Sequence, residues 1–376
     1  MMNCKIQKQC GGCQYVNEGY DYALNQKNEV MRKLFADFQV TVHPIAGMEN
    51  PYSYRNKTIV AFDKNYQYGL YEENSHRIIP YDHCLLHDEE TDHIIKKIAQ
   101  LFKKYHVSLY DPQRKRGDIR HVQIRRSVKT NQTMVTLVSS APVFEGSKNF
   151  CKILTHAFPS IQTIVLNINK RETSIVLGEQ EKILYGKGYI VDELCGLTFK
   201  ISSRSFYQIN HEQCVALYNK ALSLLPLDEH ASIIDTYCGI GTIGMIASQK
   251  AGHVIGVEKN SEAIADAKNN KMMNHLSNIQ FINDDATDYM AKAAQDMMNV
   301  SAVIMDPPRS GSTEHFIQSV KKLAPKHVLY ISCDPTTQVR DLKWFKEAGY
   351  TFTDVYPYDM FPFTQAIESI VLLKKG

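Results

Sequence analysis

The fold of this chain is decided by the stretch Ile233-Ile234-Asp235-Thr236-Tyr237-Cys238-Gly239-Ile240-Gly241-Thr242-Ile243-Gly244. Its apolar residues predict a buried strand, its glycines a tight turn and its last residues the start of a helix. A glycine turn of this kind lets a ligand approach the backbone closely. Glu258 falls at the end of the next predicted strand, where an acid can bind ribose hydroxyls. The stretch therefore predicts a Rossmann-like α/β unit.

The pattern of the chain from residue 211 onward extends this unit. Strands are predicted at 232–237, 253–258, 279–283, 301–305 and 327–332, and helices at 212–225, 242–250, 260–274, 313–323 and 336–347. Helices that alternate with apolar strands predict a parallel sheet covered on both faces. Two more strand-like runs, Tyr350–Tyr358 and Ile370–Leu373, follow.

The earlier part of the chain has a different pattern. A helix is predicted at Tyr20–Phe38 and a strand at Tyr52–Phe62, and then a helix at Ile94–Tyr105 precedes β-rich runs at Ile119–Arg125, Thr133–Val138, Thr163–Ile168 and Ser174–Leu177. We expect three regions: a cysteine-cluster region over 1–90, a central α+β RNA-binding module over 91–200 and a catalytic domain over 201–376.

Composition and charge indicate the cellular compartment of the protein more clearly than its binding partner. The 376 residues carry a formal net charge of +3, which permits a nucleic acid partner without requiring one. The sequence has no apolar run of about 18 residues, the length of a membrane span, and no signal-type segment. We expect a cytoplasmic monomer without a membrane partner, whose nine cysteines form no disulfide framework.

Two cofactors compete for the glycine turn, NAD and S-adenosylmethionine, and a tight turn without any ligand is a third interpretation. Acids at three strand ends favour S-adenosylmethionine: Asp235 before the glycines, Asp285 after the third strand and Asp306 after the fourth. Two prolines fix the backbone that follows Asp306. An NAD-dependent oxidoreductase stays an alternative, because the glycine pattern and Glu258 also match the dinucleotide fingerprint.

One cysteine stands at the carboxyl end of the fifth predicted strand, in Tyr330-Ile331-Ser332-Cys333-Asp334-Pro335-Thr336-Thr337. Ligands of open α/β sheets bind outside the carboxyl ends of the strands, so Cys333 is a candidate nucleophile. Thr336 is a candidate cap for the following helix, whose N-terminus can lower the pKa of a nearby thiol. A cysteine buried in the core is the alternative.

Three motifs occur in order: Asp306-Pro307-Pro308-Arg309-Ser310-Gly311, Ser332-Cys333-Asp334-Pro335 and Thr364-Gln365-Ala366-Ile367-Glu368. With them the chain, from Cys4 to its C-terminus, resembles the RNA uracil-5-methyltransferase family. The resemblance implies S-adenosylmethionine-dependent methylation of carbon 5 of an RNA uridine. Amino-methyltransferases place an aromatic residue after the same acid–proline–proline turn, whereas Arg309 stands there in this chain.

The chemistry of that family gives two residues a role. Carbon 5 of uracil is a weak nucleophile, and a thiolate that adds to carbon 6 converts the ring into an enolate that accepts a methyl group. A base must then remove the carbon 5 proton so that the thiol is eliminated. By resemblance Cys333 is the nucleophile and Glu368 the general base. An ordinary surface acid is the alternative for Glu368.

The resemblance also implies a set of cofactor contacts: Gln208, Tyr237, Glu258, Asp306 and, as a candidate for the adenine amine, Asp285. The chain departs from the family at positions near these motifs: Tyr237 for phenylalanine, Thr242 for asparagine, and Phe363 and Ala366 for histidines. The departures leave Cys333 and Glu368 in place and change their surroundings.

Four cysteines form a separate N-terminal group: Cys4, Cys10, Cys13 and Cys84. Three close thiols and a distant one can enclose a [4Fe-4S] cluster or zinc, and a group without metal is also compatible with the spacing. The resemblance favours iron–sulfur, since ribosomal RNA members of the family carry a cluster here and the tRNA branch lacks the cysteines. It therefore favours a hairpin loop of large-subunit (23S) rRNA as substrate, with a tRNA uridine as the alternative.

Basic residues interleaved with aromatic ones predict the RNA surface, because cations hold phosphates and rings stack on unpaired bases. The candidates are Arg55, Lys57, Arg114, Lys115, Arg116, Arg120, Arg125 and Arg126, with Tyr52 and Tyr54 beside the first two. Alternation from Arg120 to Arg125 predicts charges along one strand face. A solvated basic face is the alternative for each residue, and a non-catalytic iron–sulfur RNA-binding protein is the alternative for the chain.

Overall fold

The computed structural model describes residues 3–73, 75–111, 114–171, 173 and 175–376. The helices are α1 (Tyr20–Leu34), α2 (Glu89–Lys104), α3 (Ser147–Ala157), α4 (His211–Ser223), α5 (Thr242–Ser248), α6 (Ser261–Met273), α7 (Ala286–Gln295), α8 (Glu314–Leu323) and α9 (Pro335–Glu347). The strands are β1 (Thr41–Val42), β2 (Lys57–Phe62), β3 (Tyr68–Tyr71), β4 (Ile78–Pro80), β5 (Ile119–Arg126), β6 (Thr133–Ser139), β7 (Ile161–Ile168), β8 (Gln180–Gly186), β9 (Tyr189–Leu194), β10 (Leu197–Ser202), β11 (Ser232–Thr236), β12 (His253–Glu258), β13 (Ile279–Asn283), β14 (Ala302–Met305), β15 (His327–Ser332), β16 (Tyr350–Thr351), β17 (Asp354–Tyr358) and β18 (Glu368–Lys375).

The Rossmann-like α/β sheet predicted from the glycine stretch is confirmed. Its parallel strands have the order β13-β12-β11-β14-β15. Strand β18 lies antiparallel beside β15, and β17 and β1 complete that side. The chain order reverses between β11 and β14, which is the position where ligands bind in open α/β sheets.

Helices cover both faces of this sheet because alternate strand residues point to opposite sides. Ile233 of β11 belongs to one apolar core and its neighbour Ile234 to the other. The predicted parallel strands agree with β11–β15 to within one residue at each end. The sequence pattern did not predict helix α7. Its buried side chains, apart from Met290, are alanines, which give a weak apolar periodicity.

A second sheet has the order β4-β3-β2-β5-β6-β7-β8, and α2 and α3 contribute Phe102 and Phe150 to its core. It joins strands from both sides of residue 90, and the division into three regions stays a prediction. Residues 175–177 of the strand expected at Ser174–Leu177 have no regular structure, and Ser174 lies outside the described residues.

The first fifty residues contribute a strand to the larger sheet and a helix that contacts the segment after β17. Strand β1 pairs with β17, and Lys27 of α1 forms a buried ion pair with Asp359 at 2.5 Å. Helix α1 ends at Leu34 rather than continuing to Phe38. Within the described part of the chain, no helix has both the length and the apolar character that a membrane crossing requires.

Candidate active site

The glycine stretch folds as β11, a turn and α5. Gly239 and Gly241 have φ values of 55° and 85°, in the left-handed region that favours glycine. Gly244 N donates a hydrogen bond of 2.8 Å to Asp235 Oδ2, and a Cβ on Gly244 would lie 2.7 Å from the same oxygen. Burial raises the pKa of Asp235 to about 8. Asp235 thus ties the start of α5 to β11.

A cleft lies between this turn and the segment that precedes α4. Its lining residues come from both sides: Leu194, Phe206, Tyr207, Gln208, Cys214, Tyr218, Tyr237, Cys238, Gly239, Ile240, Thr242, Ile243 and Asp306. Three of the predicted cofactor contacts, Gln208, Tyr237 and Asp306, are therefore brought together. Tyr237 has a φ of 60°, and its hydroxyl lies 3.3 Å from Ser312 Oγ.

The other two predicted cofactor contacts lie at the ends of neighbouring strands. Glu258 Oε2 accepts a hydrogen bond of 3.2 Å from Gly239 N, so the acid of β12 contacts the glycine turn directly. Asp285 caps α7 and forms an ion pair of 3.2 Å with Lys259. Asp285 is therefore already engaged with protein groups, and its role toward an adenine stays a prediction.

The sheet topology places Cys333 and Glu368 at one edge. The antiparallel ladder of β15 and β18 ends with Ser332 opposite Ser369. Cys333 directly follows Ser332, and Glu368 directly precedes Ser369. In the same antiparallel register, Cys333 and Glu368 are therefore the next pair of opposed residues. Asp306, which follows β14, interacts electrostatically with both. Glu368 is 2% exposed, so it is not the surface acid that the alternative interpretation proposed.

The thiol of Cys333 is held in its protonated form by its surroundings. Burial raises its pKa to about 11, the negative charges of Glu368 and Asp306 act in the same direction, and Arg309 opposes them. A lowered pKa from the helix N-terminus is therefore wrong for this site. The expected cap is also wrong, because Asp334 and not Thr336 caps α9, with Thr336 N donating to Asp334 Oδ1 at 2.9 Å.

Both carboxyl groups of the site are also biased toward the neutral form. Burial raises the pKa of Glu368, the charge of Asp306 adds to this effect, and Arg309 opposes it. Burial likewise raises the pKa of Asp306. A cation bound among these groups would favour the ionised form of all of them.

The four N-terminal cysteines lie near one another around one apolar cluster. Cys4, Cys13 and Cys84 contact one small apolar cluster, and Cys10 interacts electrostatically with Cys4 and Cys84. All four thiols are free. Among residues that the structure describes, no group of three or more His, Cys, Asp or Glu side chains has metal-binding geometry. The predicted iron–sulfur cluster is not confirmed.

The predicted RNA-contact residues differ in their exposure and in the groups that they contact. Arg126 is paired with Asp88 and Glu90 at 2.5 Å each, and Arg120 stacks on Tyr110 at 3.8 Å. Arg114, Lys115 and Arg116 are exposed. Arg125 is 2% exposed and donates to Ser205 O, so Arg120 and Arg125 do not form the common exposed face expected from their alternation.

The aromatic residues differ most from expectation. Tyr52 and Tyr54, predicted to stack on RNA bases, instead contact the segment before Glu368: the Tyr52 ring lies 5.2 Å from that of Phe363, and Tyr54 Oη donates to Pro362 O. Phe206 lines the cleft with 64% of its surface exposed, although the pattern of basic and aromatic residues did not predict it as a base-stacking residue. A large apolar residue two positions before Gln208 in a polar segment was the available signal.

Comparisons with known proteins agree with this geometry. The family described as tRNA (uracil-5-)-methyltransferase matches residues 19–376. An uncharacterized RNA methyltransferase of Halalkalibacterium halodurans is 38% identical over 99% of this chain and 82% of its own length, and one of Staphylococcus aureus is 37% identical over 98% and 83%. The solved tRNA (uracil-54, C5)-methyltransferase of Pyrococcus abyssi, in complex with S-adenosyl-L-homocysteine, shares the fold with a TM-score of 0.83 and 24% identity, over 97% of this chain and 86% of that one.

Proposed function

The chain belongs to the tRNA (uracil-5-)-methyltransferase family, and on that premise we propose that it transfers a methyl group from S-adenosylmethionine to carbon 5 of an RNA uridine. The observation that carries the proposal is the meeting of Cys333, Glu368 and Asp306 at one sheet edge. The reaction needs a thiol and a buried base on one face of a uracil ring, and this edge supplies both.

The residues divide the reaction between them. Cys333 loses its Sγ proton to solvent, and the resulting thiolate adds to carbon 6 while the electron pair of the carbon 5–carbon 6 double bond moves onto oxygen 4. S-adenosylmethionine supplies the methyl group that carbon 5 takes up. Glu368 then removes the carbon 5 proton, the double bond re-forms, and the carbon 6–sulfur bond breaks to release the thiolate and 5-methyluridine. Gln208, Tyr237 and Asp306 hold the cofactor in the cleft, and Glu258 and Asp285 act at the neighbouring strand ends.

The target uridine must leave its stack to reach Cys333, as substrates of base-modifying enzymes do. The exposed ring of Phe206 at the cleft supports stacking on an unpaired base. We propose a hairpin loop of 23S rRNA as the substrate, because the four N-terminal cysteines distinguish the ribosomal RNA branch in the resemblance set out above. A tRNA uridine is the second candidate, favoured by the fold shared with the Pyrococcus abyssi tRNA enzyme.

An iron–sulfur cluster belongs to this proposal as a structural group. Cys4, Cys10, Cys13 and Cys84 would hold it, and their donor chemistry fits, since four free thiols gather beside a cation. The positive charge of Arg55 acts on Cys10, Cys13 and Cys84, which would offset the negative charge of a thiolate-bound cluster. Anaerobic purification followed by iron and sulfide analysis and an absorption spectrum tests this part, and zinc in place of iron would contradict it.

The test of the function is a methyl-transfer assay with a trap. The enzyme is incubated with labelled S-adenosylmethionine and either 23S rRNA or tRNA from a strain that lacks the gene, and the methylated nucleoside is mapped by mass spectrometry. RNA containing 5-fluorouridine is then used, because fluorine cannot leave as a proton does and the adduct persists. RNA binding without either transfer or adduct would favour the non-catalytic RNA-binding protein, and transfer only to tRNA would replace the proposed substrate.

Cofactor charge should control the reactivity of Cys333. Sinefungin carries an ammonium group near the position of the transferred methyl, whereas S-adenosylhomocysteine is a neutral thioether. Because a cation favours the thiolate, we expect sinefungin to lower the pKa of Cys333 from about 11 and to raise its alkylation rate near pH 8 about tenfold. Mass spectrometry of the alkylated peptide at several pH values measures this. S-adenosylhomocysteine is the matched control, and equal effects of the two ligands would contradict the prediction.

Lys57 and Arg125 are a second place where the structure supports RNA binding. They stand opposite each other on β2 and β5, although like charges in that position destabilise a sheet. Nε and Nη1 of Arg125 are buried without a hydrogen-bond partner. In the described ranges, no carboxylate pairs with either side chain. Because Arg125 is buried and Lys57 is half-buried, an RNA phosphate beside Lys57 would supply the missing negative charge.

Lys57 should make RNA binding depend on pH. Burial and the charges of Arg125 and Arg55 lower the pKa of Lys57 to about 8, and a phosphate would raise it again. RNA affinity should therefore fall as pH rises through about 8, since binding then requires a proton. Lys57→Met should abolish this pH dependence and reduce the slope of log affinity against log salt by about 1. Lys96→Met, which removes the same charge from an exposed site on α2, is the control.

A further inference from the structure

The segment that leads into Glu368 is held by the N-terminus of the chain. We call residues 359–367 the base loop, since they connect β17 to Glu368 at the start of β18. The backbone N–H groups of Gln14 and Tyr15 both donate to the carbonyl oxygen of Phe363, at 2.8 and 2.9 Å. Gln14 Oε1 also accepts a hydrogen bond of 3.3 Å from Gln365 N. Gln14 directly follows Cys13, one of the four grouped cysteines. We call residues 4–16, which contain Cys4, Cys10 and Cys13, the cysteine segment.

Phe363 is the anchor of this contact. Its side chain is fully buried, and its φ of 65° lies in a region that non-glycine residues rarely adopt and that persists only where the surroundings hold it. The ring packs with Val16, Tyr54 and Leu86, and the partly buried residues against this cluster include Cys4, Cys13 and Cys84. Phe363 therefore joins the base loop to the cysteine group through one apolar cluster.

A buried ion pair holds the other end of the loop. Lys27 Nζ lies 2.5 Å from Asp359 Oδ1 and donates a hydrogen bond of 3.1 Å to Phe361 O, and both charged side chains are at most 1% exposed. Tyr54 Oη donates to Pro362 O at 3.3 Å. Residues among the first sixty thus contact the loop at five positions, and each contact joins residues more than 300 positions apart in the chain: Asp359, Phe361, Pro362, Phe363 and Gln365.

We propose that residues 13–16 of the cysteine segment, acting through Phe363, position the base loop for the elimination step. The proposal rests on the proposed function, because it takes Glu368 as the base. Cys333 directly follows β15 and lies outside the loop, so a disturbed loop should slow proton removal and leave thiol addition largely intact. The position where the family resemblance expects a histidine therefore has a packing role in this chain, with phenylalanine anchoring the loop on the cysteine segment.

The test separates addition from elimination in a single turnover on the RNA substrate. Gel shifts measure the covalent adduct, and release of 5-methyluridine measures elimination. In Phe363→Ala we expect adduct formation within about threefold of wild type and elimination about tenfold slower, since small displacements of a reacting group are costly. Phe363→Leu should restore elimination because leucine refills the apolar cluster. Val16→Ala changes the cysteine-segment side of the same apolar cluster, and it should also slow elimination and accumulate adduct.

Phe150→Ala is the matched control, because it removes a buried ring from the core of the second sheet. Phe150→Ala should lose about as much thermal stability as Phe363→Ala and leave the ratio of adduct formation to elimination unchanged. If Glu368→Gln traps adduct while Phe363→Ala and Val16→Ala eliminate normally, the positioning role is refuted and the function stands. If Glu368→Gln traps none while the wild type methylates, the base assignment and the positioning role fail together, whereas a wild type that forms neither product nor adduct refutes the proposed function. Should Phe363→Ala not fold, normal elimination in Val16→Ala alone overturns the proposal.

Discussion

Cys333→Ala should abolish both methyl transfer and covalent trapping of 5-fluorouridine RNA. The reaction passes through the bond between Cys333 Sγ and carbon 6, and Cys238, which follows β11 at the same edge, is buried in the glycine turn. Without that bond carbon 5 is too weak a nucleophile to accept the methyl group. We expect turnover to fall by on the order of 10⁵-fold or more, as for loss of a nucleophile in other covalent enzymes. Radioactive methyl transfer and denaturing gels measure the two losses.

The control for Cys333→Ala is a cysteine buried in another core. Cys151 is 5% exposed and packs with α3 against the second sheet, so Cys151→Ala should change stability without changing trapping. RNA and cofactor affinities of Cys333→Ala should equal those of the wild type. A persistent adduct in Cys333→Ala would show that a different residue is the nucleophile and would remove the main support for the proposed mechanism.

Glu368→Gln should convert the enzyme into one that binds RNA covalently and releases it slowly. Glutamine keeps the size of the side chain at this buried position but cannot take the carbon 5 proton. Addition and methyl transfer should continue, whereas elimination should slow by about 10²–10⁴-fold, the usual contribution of a general base. A methylated RNA–protein adduct should therefore accumulate on normal uridine RNA, without fluorine.

Asp306 provides the comparison for Glu368, since both are carboxyl groups at the same edge whose pKa is raised by burial. Asp306→Asn should weaken cofactor binding without accumulating adduct, because Asp306 lines the cleft. Release of 5-methyluridine by Glu368→Gln at the wild-type rate would assign the base elsewhere. The raised pKa of Glu368 also sets the sign of the pH dependence: elimination should accelerate as pH rises through that pKa, since only the carboxylate accepts a proton.

The strand ends of the catalytic sheet were predictable because local signals agree there. Apolar runs of four to six residues bounded by glycine, proline or acids identify β11–β15, and the carboxyl ends of parallel strands necessarily share one edge. Glu258, Asp306 and Cys333 could therefore be placed near one another from their positions alone. The motif around Cys333 and Glu368 assigned their chemistry through a family resemblance and not through spacing.

Other features depended on contacts between residues distant in the chain. Burial raises the thiol pKa of Cys333, and Glu368 raises it further because it joins the edge through an antiparallel strand, a contact that no local pattern shows. Tyr52 and Tyr54 have the composition of an RNA-binding segment, yet they pack on the base loop because Phe363 needs a buried surface. The same holds for Lys27, whose charge predicts solvent exposure and whose partner Asp359 lies 332 residues away.

Local sequence patterns thus established which residues begin and end each catalytic strand, because backbone propensity and burial periodicity act over a few neighbouring residues. Packing between distant segments decided the ionisation of the site and the attachment of the base loop to the cysteine segment. Burial and charge act through space, and their strength at Cys333, Glu368 and Lys57 follows from neighbours that only the folded chain brings into contact.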